Sequence, residues 1–556
     1  MTAVTSRWAG TGVATGTAVA ASWRADRPLH IKIGPLDPGQ VEQAFQAVAA
    51  DLNRVANRAR AQGRQAAADI VAVGALIAAD PDLVDAAWRA ATGNEPLRGI
   101  HDAVEEYART IEALPDETLR ERAADVRQVG RRVIEWLARS GAGISTNPPA
   151  RRFVLVAAEL GPADLLEHLG QGLVAAVAVR GGANSHAAIV ARSVGLPLVM
   201  GIDPQILDLT DHTWLLVDAA AGVVVADPPY AEVARADEAS ARDGQRRVVL
   251  AADRGRLHVS ADGQPFGLLC NVASDTEVRV GRDSGAEGIG LLRTELPFLH
   301  ADRWPTEADH RRALRPILAE AAGWPVTVRL LDFANDKIPP FLAGTLAGLG
   351  ALLDNPAALA AQLRAVLDLG RGVQLRIMVP MVTADTELRV IRAAVAAAAA
   401  DLGVAPAPVG AMIETVAAVE AIGELCRAAD FLSIGTNDLT AQVLDLDRTD
   451  PRARPELTAH PYVLDLIAHV VTGAHLAGRP VSVCGDAGAH PTTLPLLLGA
   501  GVRSFSVACA RVDETRYRLC RLDTTACADI FAEALGMRDA DETAALIRGR
   551  IGVVVP

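Results

Sequence analysis

Residues Gly181–Gly201 read GGANSHAAIVARSVGLPLVMG and hold one histidine, His186, between a Gly-Gly pair and a run of small and aliphatic residues. Ala187, Ala188, Ile189, Val190 and Ala191 favour helix, so His186 is expected where a loop enters a helix. At such an entrance the unpaired backbone N–H groups and the helix dipole favour an anion. Gly181 and Gly182 permit close backbone approach or unusual dihedrals just upstream. A histidine so placed is suited to carry a negatively charged group on a ring nitrogen. Taken alone, it is more often a helix cap or a packed side chain.

Outward from this stretch, the chain of 556 residues is too long for one core and should form two or three domains. On the N-terminal side, WAGTGVATGTAVAASW and LHIKI read as Gly-punctuated strands over the first 36 residues. From Asp37 the pattern becomes helical, with apolar residues three and four apart and a cap-like Asp-Pro start. Four long amphipathic stretches fill residues 37–140, the second of them breaking at Asp80-Pro81. Strand-like FVLVAAEL and VAAVAVR follow, then the His186 loop, and WLLVDAAAGVVVADPP reads as a hairpin. The pattern is an α/β domain of residues 1–36 and 141–228 with a helical subdomain inserted in it. Residues 229–247, which contain YAEVARADEASARDGQ, read as a linker helix.

Residues 248–556 show eight short apolar runs ending in polar residues: FGLLCNVAS, IGLLRTE, VTVRLLDFANDK, LRIMVPMV, VGAMIET, FLSIGTNDLT, VSVCGDA and SFSVA. Their alternation with helical segments is what a (β/α)8 TIM barrel requires, and that fold gathers its chemistry at the C-terminal strand ends. Arg293, Thr294, Glu295, Arg329, Asp332, Glu414, Asn437, Asp438 and Cys484 are therefore candidates for one common site. Any one of them could instead cap a strand or form a salt bridge.

Composition excludes several classes. A net charge of −13 argues against nucleic acid as the main partner. The opening residues lack a signal-length apolar core, and no 18-residue apolar run suggests membrane insertion. Six cysteines without a C-x-x-C pair read as reduced thiols of a soluble cytoplasmic protein.

The segment around His186 resembles the phosphohistidine signature of phosphoenolpyruvate-utilising enzymes, GG-x-[TN]-SH then A-x-x-AR-x-x-G-x-P. Ser185, Arg192, Gly195, Pro197 and Gly201 stand in its positions. LRERAADVRQVGRRV (Leu119–Val133) further resembles enzyme I of the sugar phosphotransferase system. The resemblance implies a swivelling domain that carries phosphoryl on His186, and a helical subdomain that docks an HPr-type phosphocarrier protein. It also implies a homodimer, assembled through the barrel. Arg293, Arg329 and Arg448 resemble the family's substrate-gripping arginines, Asn437 its phosphate contact, and Glu414 and Asp438 its Mg2+ carboxylates. Cys484 resembles the acid that protonates enolpyruvate, and Lys337 adds a cation near the phosphate. No segment looks like the ATP-grasp domain of other phosphoenolpyruvate users.

Three departures stand against the pattern. Phe333, Ala334 and Asn335 replace the usual Gly-Gly before Asp336-Lys337, and Gly161 stands where a Thr is usual. No Arg or Lys occurs between Lys337 and Arg364, where the family places a substrate arginine. Such a loss costs roughly 2–4 kcal/mol of transition-state stabilisation. The reading is enzyme I. The alternatives are a divergent paralogue serving another phosphorelay, or a weakly active regulator that binds phosphoenolpyruvate.

Overall fold

The computed structural model describes residues 6–14, 16–24, 34, 36–61, 64–91, 95–113, 122–142, 152–182, 185–299, 301–334, 337–342, 347–446 and 454–552. It divides into two compact units, residues 1–245 and 246–556. LHIKI, which the sequence suggests as a strand, lies outside the described residues.

The first unit is built on an eight-stranded sheet of β1 (Arg7–Ala9), β2 (Thr11–Ala14), β3 (Thr17–Arg24), β4 (Phe153–Ala157), β5 (Leu173–Ala178), β6 (Leu198–Met200), β7 (Trp214–Asp218) and β8 (Val223–Ala226). Its order is β1-β8-β7-β3-β4-β5-β6-β2. β3 and β4 are parallel neighbours although more than a hundred residues separate them, which is the signature of an inserted segment. β7 and β8 form the expected hairpin, with Asp218 opposite Val223. β4 is apolar throughout because both its faces are covered. Phe153, Leu155 and Ala157 pack toward the inserted helices, and Val154 and Val156 join the core on the opposite face.

The insertion holds α1 (Pro38–Ala61), α2 (Gln65–Ala78), α3 (Pro81–Ala90), α4 (Pro96–Glu112) and α5 (Arg122–Ala142). The described residues thus carry five helices where four stretches were expected. The second stretch forms two, because Asp80 accepts from the Asp82 N–H at 2.9 Å and Pro81 starts a new helix at its first position. Val41, Ala44, Phe45, Val48, Leu52 and Val55 give α1 a buried face at helical spacing. Behind the sheet's second half run α6 (Pro162–Leu169) and α7 (His186–Val194), and α8 (Tyr230–Ala252) follows β8.

The second unit is a closed barrel of eight parallel strands: β9 (Gly267–Val272), β10 (Ile289–Leu292), β11 (Pro325–Arg329), β12 (Gln374–Val379), β13 (Val409–Ile413), β14 (Leu432–Ile434), β15 (Val481–Val483) and β16 (Ser504–Ala508). Each coincides with one of the eight apolar runs, β11 and β12 beginning one residue earlier. Val326 and Val328, like Leu432 and Ile434, face the surrounding helices, while Leu291, Met378, Met412, Phe431 and Cys484 form a separate cluster. Among the described residues no helix is long and apolar enough to cross a membrane.

Candidate active site

His186 opens α7. Ser185 is its cap, with the Ser185 Oγ accepting from the Ala188 N–H at 3.3 Å, and the helix stops at Gly195 in the left-handed conformation with φ 66°. Gly181 has φ +112°, and a Cβ there would lie 2.4 Å from Met200 Cε, so this turn against β6 requires glycine. The imidazole is nearly buried. Its Nδ1 lies 3.2 Å from Asp125 Oδ2 on α5, and Arg122 donates to the same oxygen at 3.1 Å. A carboxylate at that distance favours the proton on Nδ1. A cavity of about 350 Å3 adjoins the ring, lined by Asp125, Arg127, Glu159, Arg180 and Gly181.

Buried ion pairs fasten the insertion to the sheet beside this cavity. Arg131 and Arg132 of α5 both reach Asp164 of α6, the second at 3.1 Å, and Arg132 also reaches Glu167 at 2.8 Å and Asp51 of α1 at 3.2 Å. Burial alone would raise the Asp164 carboxyl. The two guanidiniums and the Gly161 N–H outweigh it and hold the group well below the usual carboxylate range. A Cβ at Gly161 would lie 2.0 Å from the Gln128 amide, so a side chain there would have to displace that amide. The place of the usual threonine is filled from the inserted helix.

In the second unit the strand ends bring their polar residues together. Arg329, 4% exposed at the end of β11, pairs with Glu295 and, at 2.9 Å, with Asp332. Lys337 Nζ reaches Asp332 at 3.1 Å and Glu295 at 3.4 Å. Thr294 is used structurally: its hydroxyl donates to the Arg329 carbonyl at 2.8 Å and accepts from buried Gln362 at 3.0 Å. Glu414 follows β13 and accepts from the Met381 N–H at 2.7 Å. Met381 itself holds a strained φ of 50°. A Cβ on Gly435 would lie 2.7 Å from Glu414 Oε2, so the end of β14 must be glycine. Burial, then the charges of Asp332 and Asp438, push the Glu414 carboxyl up to about 8. Burial likewise pushes the Cys484 thiol up to about 11, against the pull of the Ser433 hydroxyl and of Arg329 and Arg293. Asn437, in the first turn after β14, exchanges two hydrogen bonds with Asp486. Arg448 lies outside the described residues.

The loop after Asp332 is built differently from the family pattern. Phe333 is buried with Phe298, Leu331, Leu342 and Ala351, and stands 6.2 Å edge-on from Phe341. Its carbonyl accepts from the Gly348 N–H at 2.8 Å. An apolar plug therefore anchors the segment that lacks the arginine.

This mouth is rich in carboxylates. Asp332 Oδ1 and Glu295 Oε2 are buried without a hydrogen-bond partner among the described residues, and Glu414 is raised partly by its acidic neighbours. No group of three or more His, Cys, Asp or Glu side chains forms a cage among those residues. Mg2+ needs only one or two carboxylates with substrate oxygens completing its shell, and Glu414 has a second carboxylate, Asp438, near enough for its charge to raise it.

A barrel whose strand ends gather paired Arg, Lys, Asp and Glu side chains, and an α/β unit with a nearly buried histidine at a helix start, are arrangements suited to handling phosphoryl groups. Residues 250–524 match the PEP-utilising enzyme PEP-binding domain, residues 149–222 the mobile domain and residues 8–122 the N-terminal domain. The chain belongs to the PEP-utilising enzyme family. A phosphoenolpyruvate-protein phosphotransferase of Cupriavidus necator is 32% identical over 485 residues, 80% of each chain. Another, of Lactococcus lactis subsp. lactis, is 29% identical over 524 residues, 90% of each. A multiphosphoryl transfer protein of Rhodobacter capsulatus is 34% identical over 482 residues, 84% of this chain but 57% of its own length. The chain thus spans little more than half of that relative.

Sequence reasoning did not single out Asp125 or Asp486. Asp125 sits in the helical stretch quoted above, but no spacing ties it to His186. Only the fold of α5 against α7 does.

Proposed function

We propose that this chain is an enzyme I-type phosphotransferase, moving phosphoryl from phosphoenolpyruvate to His186 and then to a histidine of an HPr-type phosphocarrier protein. The observation that carries the reading is the His186 ring at the start of α7, with its Nδ1 3.2 Å from Asp125 Oδ2. Residues 1–36 and 141–228 act as the swivelling domain, 37–140 as the docking subdomain, 229–247 as the linker and 248–556 as the phosphoenolpyruvate site. Arg293, Arg329, Lys337 and Arg448 grip phosphate and carboxylate, and Asn437 donates to a phosphate oxygen. Glu414 and Asp438 would hold Mg2+, which when bound neutralises charge on the substrate oxygens. His186 Nε2 attacks phosphorus as the bond to the enolpyruvate oxygen breaks. Cys484, whose raised pKa keeps its proton at neutral pH, delivers that proton to carbon and pyruvate leaves. The assignment is a cytoplasmic homodimer.

The test is pyruvate release without carrier. One equivalent per chain is expected, becoming catalytic when the phosphocarrier protein is added. Continued turnover without carrier would contradict it. A weakly active regulator is the second reading, favoured by the missing arginine and by Arg329 and Lys337 being paired with Glu295 and Asp332.

A further inference from the structure

The amide of Asn437 has two nearly isosteric ends, and only one of them can donate to an anion. Asp486 meets both. Its Oδ2 accepts from Asn437 Nδ2 at 2.8 Å, and its backbone N–H donates to Asn437 Oδ1 at 3.0 Å. A carboxylate only accepts and a backbone N–H only donates, so the pair fixes the amide in one orientation. The loop that carries Asp486 can approach this closely because Gly485 precedes it. A Cβ on Gly485 would lie 2.0 Å from Thr436 Oγ1 and 3.0 Å from Asn437 Oδ1. The Cys484 N–H also donates to the Ile434 carbonyl at 3.1 Å, so the ends of β14 and β15 are stitched together on both sides of that glycine.

We propose that Asp486 is a positioning residue for the substrate anion: it locks the Asn437 amide so that the second Nδ2 hydrogen, and never Oδ1, is offered to a phosphate oxygen. Without the lock the amide flips, and its carbonyl dipole opposes the anion in the flipped state. The proposal rests on the phosphoenolpyruvate reading above. It adds Asp486 as the group that acts through Asn437.

The test uses the full chain, following single-turnover pyruvate release against phosphoenolpyruvate concentration at fixed Mg2+. Asp486→Ala is expected to raise the half-saturating concentration roughly tenfold while the maximal rate stays within about threefold. Both variants keep the backbone N–H that donates to Asn437 Oδ1, but only Asp486→Asn keeps an acceptor oxygen for Asn437 Nδ2, and it is expected to hold most of the affinity. In an Asn437→Ala background, Asp486→Ala should add nothing. Melting temperatures are expected to match, since Asp486 is exposed. Unchanged affinity in Asp486→Ala, or a full effect persisting without Asn437, would overturn the lock alone. No pyruvate from the unsubstituted chain would overturn the underlying reading and the lock with it.

Discussion

In the proposed reaction the chemistry at His186 depends on which ring nitrogen holds the proton, and Asp125, on another element, stands 3.2 Å from Nδ1. Asp125→Asn removes the charge that stabilises the Nδ1–H tautomer. It should slow phosphoryl passage to the carrier roughly tenfold to a hundredfold, read by quenched-flow transfer from labelled protein. A rate equal to the parent's would mean the contact is idle. At Cys484, Cys484→Ala should lower pyruvate formation on the order of 10²–10⁴-fold with phosphoenolpyruvate affinity within about twofold, measured by coupled assay and calorimetry. Loss of affinity instead would make the thiol a packing group. Arg329, Glu295 and Asp332 were legible as neighbours because strand-end polar positions in a barrel converge whatever their sequence separation. Asp125 and Asp486 were not legible, because their roles depend on helix and loop placements that no local pattern encodes. Thr294 shows the reverse case, a strand-end polar group whose hydroxyl is bound to the Arg329 carbonyl.

The element most dependent on charge is α5, whose Arg131 and Arg132 bind Asp164 on α6. Because the folded pKa of Asp164 lies below its unfolded value, its contribution is fully present above about pH 4 and is lost as pH falls toward the folded value. Thermal melts of residues 1–245 should therefore lose stability below about pH 4. Asp164→Asn should cost roughly 3–5 kcal/mol at pH 7 and remove that part of the acid dependence. Equal acid sensitivity in the variant would assign the effect to other carboxylates. At this scale the break at Asp80-Pro81 was legible, and it makes five helices of the four stretches counted. The apolar periodicity runs through residues 65–90, but Asp80 caps a new helix and Pro81 has no N–H to continue the old one. The barrel strands were legible because each is a short apolar run ending in polar residues, and their order follows from the fold.

Over the whole molecule, phosphoryl acceptance and phosphoenolpyruvate binding are assigned to different units, residues 1–245 and 246–556. Each holds its own core, so each should fold alone with a cooperative thermal transition. Residues 246–556 alone should bind phosphoenolpyruvate with Mg2+, and residues 1–245 alone should take no label from it. Labelling of the isolated first unit would move the substrate site out of the barrel. The insertion was legible from helices flanked by strands, and β3 pairing with β4 bears it out. The missing arginine was also legible as an absence. The burial of Phe333 in its own aromatic cluster was not, since it depends on contacts with residues distant in sequence.

The most direct measurement is incubation of the full chain with radiolabelled phosphoenolpyruvate and Mg2+, followed by acid and base treatment of the protein. An acid-labile, base-stable label that disappears in His186→Ala is the expected result. A label that persists in His186→Ala, or none on the folded parent protein, would contradict the assignment of His186 as the phosphoryl carrier.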